Sequence, residues 1–204
     1  MVFWVAKYLL ALSGHKLRFR RYYVLLDLLL ALWATLLIGF LGFSVVAVGS
    51  ILLAFYTLAI SITDFSALTI PDGLTYSYVV LGILLAIFDS RIPLIESVAG
   101  GLVGLVLFWA IAAIGSKVFK RQALGGGDIK MAAMLGVFVG PVNLIFAMFF
   151  ACVLALLYAV VLRLAFSARV TREVPFGPFL ATAGIASYLG GSKILAIYWQ
   201  AIGF

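Results

Sequence analysis

Long apolar runs separated by short polar segments make up most of this chain. About 20 apolar residues in helical form cross the hydrocarbon core of a bilayer. The pattern therefore predicts an all-α, polytopic integral membrane helix bundle with about six to seven spans, folded as one domain over residues 1–204. The apolar runs lie at residues 22–40, 42–63, 74–88, 94–115, 143–162 and about 174–189.

One apolar stretch is too short to be an ordinary span. Residues 131–139 lie between a glycine-rich loop and Gly140-Pro141, so we predict a half-length helix in a thinned or protein-lined region. The first 21 residues are expected to form an interfacial helix or a partial span that ends in a basic cytoplasmic cluster. Residues 190–204 either cross the membrane or lie at its interface.

The composition excludes a soluble globular protein. The chain is 66% hydrophobic and 10% charged, whereas soluble domains carry about 25% charged residues. Cys152 is the only cysteine, which excludes a disulfide framework and a multi-cysteine zinc site. We therefore expect no metal site.

The basic residues predict the orientation. Of the 14 Lys and Arg residues, four lie in residues 16–21, four in residues 117–130 and three in residues 163–172. Counting the spans between them puts all three clusters on one side, which the positive-inside rule makes cytoplasmic. The same rule explains the basic clusters without a nucleic-acid partner, and leaves membrane lipids as their partners.

Two carboxylates on that cytoplasmic side are the candidate catalytic groups. Asp128 follows three glycines at the edge of an apolar segment, and Asp64 ends a long apolar run. Acids in or near hydrocarbon are costly and usually functional. Asp72 and Glu96 have structural explanations, as an N-cap and a first-turn acid. Asp64 and Asp128 therefore predict an acid/base dyad, although both could also be water-facing helix ends.

Such a dyad has a definite chemistry. Two carboxyl groups close together share a proton, so one can activate water while the other donates a proton to a carbonyl. This is the arrangement of aspartic proteases, and it needs no metal or cofactor. The alternative is a small transporter in which Asp64 and Asp128 relay protons or ions.

Three motifs resemble those of one family. Gly125-Gly126-Gly127-Asp128-Ile129-Lys130 resembles the G-x-G-D-x-K signature of the type IV prepilin peptidases, which are membrane aspartic proteases. Asp64 followed by Ile70-Pro71-Asp72 is similar to their other motif, and residues 174–179 resemble a proline/glycine segment near their C-terminus. Presenilin-like proteases share Gly-x-Gly-Asp but have Tyr-Asp at the first acid, where this chain has Thr63.

The resemblance implies roles for individual residues. Asp64 and Asp128 are the implied catalytic pair, and Asp72 is a supporting residue. With Asp72 we group the supporting loop residues Gly125, Gly127, Lys130 and Pro71. The basic leader of a substrate would be attracted by acids on the same face, so we assign Glu173 to possible substrate contact, together with Pro175 and Gly177.

The resemblance also implies a substrate and a location. Prepilins or pseudopilins carry a short basic leader, which the family cuts after a glycine at the cytoplasmic face of the bacterial inner membrane. The substrate's apolar helix is expected to pack on Gly100 to Gly104. Many members have a cysteine-rich cytoplasmic insert and methylate the new N-terminus with S-adenosylmethionine. Here little more than residues 14–21 replaces that insert, so this cofactor is expected only if methylation is retained.

Overall fold

The computed structural model describes residues 23–67, 72–122, 124–165 and 176–201, and the regular structure in them is helical. This confirms the all-α prediction. Within the helices, the structure does not describe the side chains at positions 23–26, 62–67, 72, 74, 165, 192–199 and 201. Residues 1–22, Pro71, Glu173 and Pro175 are outside the described residues altogether. The helices are α1 Tyr23–Leu41, α2 Val45–Ala67, α3 Asp72–Ala86, α4 Leu94–Phe119, α5 Gly126–Ala165 and α6 Gly177–Ala201.

Two of these helices are long and apolar enough to cross a membrane. They are Leu94–Phe119 and Gly126–Leu164, with mean hydropathies of 2.2 and 2.8. Both expose large hydrophobic side chains, such as Trp109 and Leu156, which a soluble monomer rarely does over so wide a surface. The full count of six to seven spans stays a prediction, because the apolar helical segments at Asp27–Leu41, Val45–Ser61 and Thr75–Ala86 are shorter than 18 residues.

α5 is broken where the sequence predicted a break. Gly140 has φ 75° and ψ 170°, which is outside the helical region, and Pro141 follows it. The break separates residues 126–139, hereafter the half-helix, from residues 141–165. At about 1.5 Å per residue the half-helix is about 21 Å long, which is shorter than the hydrocarbon core of a bilayer. This confirms the predicted half-length helix, although it starts at Gly126 and not at Met131.

The half-helix runs in the same direction as α6. Leu135 packs directly against Gly184, and the ring of Phe138 lies 6.2 Å from the ring of Tyr188. From the first contact to the second, the residue numbers increase in both helices, so the two helices are parallel.

The second part of α5 runs in the opposite direction. The Ser187 hydroxyl donates to the carbonyl oxygen of Asn143 at 2.9 Å, and the ring of Tyr158 lies 5.4 Å from that of Phe179. From the first contact to the second, the residue numbers increase in α5 and decrease in α6, so the two helices are antiparallel. The chain therefore reverses at Gly140, and α5 is a helical hairpin.

The reversal leaves backbone carbonyls without their usual hydrogen-bond donors, and polar side chains supply donors instead. Pro141 has no N–H, so the carbonyl of Val137 lacks its usual intrahelical donor. The buried Ser97 hydroxyl of α4 donates to that carbonyl at 2.7 Å, and the Asn143 amide donates to the carbonyl of Val139 at 3.0 Å. Side-chain donors of this kind make a break tolerable in an apolar surrounding.

Replacement of Ser97 should therefore destabilise the hairpin. We expect Ser97→Ala to cost about 1–3 kcal/mol, because it leaves the carbonyl of Val137 buried without a donor. Ser50→Ala is the matched control, since the buried Ser50 donates to the carbonyl of Val46 inside an unbroken helix. Thermal unfolding of both variants in detergent measures the difference. Equal losses would show that the bond to Val137 has no special role.

The two ends of the bundle can now be distinguished. The turn of residues 87–93, the reversal at Gly140 and the start of α2 lie at one end, the Asp89 end. Residues 119–122 and 124–128 lie at the other, the Asp128 end. Lys117, Lys120 and Arg121 lie there too, while the location of all three basic clusters on one side stays a prediction.

Candidate functional site

Asp128 lies in a helix and not in the loop that the sequence suggested. α5 begins at Gly126, so Asp128 belongs to its first turn, and its backbone N–H donates to the carbonyl of Gly125 at 3.1 Å. A helix start carries free N–H groups and a partial positive charge, both of which favour an anion. A Cβ added to Gly125 would lie 3.4 Å from Oδ2 of Asp128, so the carboxylate folds back over the loop.

The half-helix that carries Asp128 packs backbone to backbone against α4. A Cβ added to Gly100 would overlap the carbonyl of Gly136, and one added to Gly104 would overlap the carbonyl of Ala132. Gly136 in turn faces the carbonyl of Gly100. Such an approach is possible only between small residues.

Two further helices close around the half-helix. An added Cβ at Gly82 of α3 would lie 2.7 Å from a methyl carbon of Val137, and one at Gly184 of α6 would lie 2.7 Å from a methyl carbon of Leu135. α3, α4 and α6 thus contact the half-helix through glycines on three sides. We call Gly82, Gly100, Gly104, Gly136 and Gly184 the glycine socket.

The glycine socket corrects one expectation. Gly100 and Gly104 do pack closely against a helix, but the prediction that this is a substrate helix is wrong, because residues 132–136 occupy that face. The sequence contained a signal for this. Ala132 and Gly136 are four residues apart, like Gly100 and Gly104, and two such pairs suit each other. Sequence reasoning missed Gly82, Gly136 and Gly184.

Asp64 lies in the last turn of α2, which continues to Ala67, beyond the apolar run of residues 42–63. Gly49 of the same helix contacts the Tyr188 hydroxyl. Along the axis of α2, the distance from Gly49 to Asp64 is about 22 Å, and it leads away from the Asp89 end. The half-helix covers about 15 Å from Phe138, which also contacts Tyr188, to Asp128. Both acids thus lie toward the Asp128 end, while the pairing of their carboxyl groups stays a prediction.

The structure describes the predicted supporting residues only in part. Gly127 and the half-buried Lys130 belong to the first turns of α5, and Asp72 is the first residue of α3. Pro71 and the side chain of Asp72 lie outside the described residues. The roles assigned to these residues and to Gly125 stay predictions.

Of the predicted substrate contacts, only Gly177 is described. It is the buried first residue of α6. The ring of Phe176, next to it, lies 6.5 Å from that of Phe108 in the middle of α4. Phe108 is one turn beyond Gly104, which packs on Ala132, and so lies near the level of Asp128. Gly177 is therefore at the Asp128 end, and Glu173 and Pro175 fall on the segment outside the description.

A second polar cluster, which sequence reasoning missed, lies at the Asp89 end. Asp89 is only 7% exposed and accepts three hydrogen bonds from Arg91, two from the guanidinium at 2.8 and 3.1 Å and one from the backbone N–H at 3.0 Å. Burial alone would raise the pKa of Asp89, but the bonds from Arg91 outweigh it and lower that pKa below its usual value. The pair is therefore ionised at neutral pH.

A family model identifies the class of protein. The model of the type IV leader peptidase family matches residues 51–160, which include Asp64, Asp128 and Gly140. This match covers more than half of the chain. The chain belongs to the type IV leader peptidase family.

Curated relatives agree with this assignment. Those named prepilin leader peptidase/N-methyltransferase include one from Dichelobacter nodosus, 33% identical over 84% of this chain and 59% of the relative, and one from Pseudomonas putida, 31% identical over 94% and 67%. The type 4 prepilin-like proteins leader peptide-processing enzyme of Escherichia coli is 33% identical over 69% and 51%. The chain thus spans between half and two thirds of their lengths. No solved structure matches it.

Proposed function

We propose that this protein is a membrane aspartic endopeptidase that removes the short basic leader from type IV prepilins or pseudopilins. The proposed cut follows a glycine, and Asp64 and Asp128 are the proposed catalytic pair. The observation that carries this proposal is the position of Asp128, at the start of a half-helix held by the glycine socket, inside the segment that matches the family. Rigid support of that kind is what a catalytic group needs.

The proposed reaction uses the two carboxyl groups as one unit. One carboxylate accepts a proton from water, and the resulting hydroxide attacks the carbonyl carbon of the glycine. The other carboxyl group donates its proton to the carbonyl oxygen, which gives a tetrahedral diol. The diol collapses as the C–N bond breaks and the leaving nitrogen takes up a proton. The products are a free leader and a mature N-terminus.

We propose that this site faces the cytoplasm from a multi-pass protein of the bacterial inner membrane. The apolar helices α4 and α5 support the membrane setting. Lys117, Lys120 and Arg121 at the Asp128 end support the orientation, because basic residues concentrate on the cytoplasmic side. These side chains suit the phosphate groups of lipids.

The proposed substrate also has requirements of its own. A basic leader near Lys117, Lys120 and Arg121 needs an acidic partner, and we propose Asp72 or Glu173 for that role. Peptide cleavage by this mechanism requires no cofactor. S-adenosylmethionine is needed only if the chain also methylates the product, as the names of its relatives state for them.

The test is cleavage of a purified model prepilin with a Gly-Phe junction by this protein in detergent. We expect mass spectrometry to find one cut, after the glycine. Parallel reactions with S-adenosylmethionine would show whether a methyl group is added. If the folded protein leaves the substrate intact, and instead moves protons across liposomes, the transporter alternative is correct.

A further inference from the structure

Tyr188 of α6 connects several elements at the Asp89 end. The guanidinium carbon of Arg91 lies 4.7 Å above the centre of its ring, and its hydroxyl donates to Oδ2 of Asp89 at 3.4 Å. The hydroxyl also lies against Gly49, where an added Cβ would overlap it. A hydrogen bond of 3.4 Å is weak, so the main attachment of Tyr188 is the stacking of its ring with Arg91.

Tyr188 holds the last turn of the half-helix through Phe138. The ring of Phe138 lies edge-on to Tyr188 at 6.2 Å and stacks on the buried Tyr78 of α3 at 4.2 Å. The cavity that Asp89, Phe138 and Tyr188 help to line has a volume of about 10 Å³. That is room for about one water molecule, so the rings cannot reorient freely.

The half-helix is anchored asymmetrically. Its first residues continue a run of glycines, which restrain the backbone least. Phe138, about 15 Å further along, is held by rings from two other helices. Met131 and Ala132, which lie between Phe138 and Asp128, are fully buried, so we expect the half-helix to shift as one unit when the packing of Phe138 changes, and to carry Asp128 with it.

We infer that Tyr188 is a positioning residue for Asp128, which it fixes through Phe138 from the opposite end of the bundle. The Asp89–Arg91 pair fixes Tyr188 in turn. This inference rests on the proposed function for its catalytic consequence but not for its structural one. The ring of Tyr188, more than its hydroxyl, has the positioning role.

The catalytic consequence is tested with Tyr188→Leu and Tyr188→Phe in the prepilin cleavage assay. A displacement of about 1 Å can lower a catalytic rate about 100-fold. We expect Tyr188→Leu to lower kcat about 10- to 100-fold, with KM unchanged within about twofold. Tyr188→Phe keeps the ring and should restore most of kcat. Phe150→Leu is the control, since Phe150 lines a groove between the second part of α5 and α6, away from the half-helix.

The structural consequence is tested by hydrogen exchange of the same variants, which requires no activity. We expect Tyr188→Leu to speed amide exchange in residues 126–139 more than in α4, and Phe150→Leu to leave that ratio unchanged. If Tyr188→Leu alters neither the ratio nor kcat, or if Tyr188→Phe fails as badly as Tyr188→Leu, the inference is wrong. If wild-type protein cleaves nothing, the proposed function fails, and hydrogen exchange still decides the positioning role.

Discussion

Asp64→Asn and Asp128→Asn should each abolish prepilin cleavage and leave the protein folded. Asparagine keeps the size of aspartate but can neither accept the proton of the attacking water nor supply one to the substrate carbonyl. General acid–base groups contribute about 100- to 10,000-fold to a rate, so we expect each single variant to lose at least about 1,000-fold in kcat. The double variant should lose little more, because groups that act as one unit are not additive.

Asp27→Asn is the matched control for these variants. Asp27 is an acid of α1, only partly buried, and the proposed mechanism does not use it. Each variant is compared with wild type for thermal unfolding and for elution as a single species. A variant at Asp64 that keeps a tenth of the wild-type rate would exclude the dyad, and would leave Asp128 as the single essential acid.

The break in α5 could be predicted because its causes are local. Gly140 adopts a positive φ that other residues avoid, and Pro141 removes a hydrogen bond, so two adjacent residues are enough to end a helix.

The end of α2, in contrast, lies beyond the end of the apolar run that predicted it. Apolar character ends at Thr63, but polarity does not end a helix. The backbone continues to Ala67, a few residues before Pro71 restricts it.

The packing of the helices could be predicted only in part. The glycines at 100 and 104 indicated a close contact, yet nothing in their own segment states which helix approaches them. Tyr188 and Asp89 are a more extreme case, because 99 residues separate the two partners of one hydrogen bond. No periodic pattern relates positions so far apart. Sequence reasoning therefore recognised the acids through their motifs but missed the residues that hold Asp128 in place.

Substitutions in the glycine socket are expected to have the second large effect on activity. Gly100→Ala and Gly104→Ala should each reduce both stability and cleavage, because the new Cβ meets backbone carbonyls of Gly136 and Ala132, which cannot rotate away. Overpacking of this kind costs about 1–3 kcal/mol, and occasionally more. The half-helix must move to relieve it, so we expect cleavage to fall at least about 10-fold in detergent at a temperature where both variants remain folded.

Gly39→Ala separates this effect from the general consequence of adding a methyl group to a helical glycine. Gly39 is exposed on α1, and an added Cβ there meets nothing within 4 Å. Alanine should stabilise that helix by about 0.5–1 kcal/mol and leave cleavage unchanged. If Gly100→Ala loses stability but retains the wild-type kcat, the half-helix tolerates displacement, and Asp128 does not depend on the socket for its position. Loss of kcat in a variant that is still folded would instead show that close packing within the membrane helices determines where the catalytic acid lies.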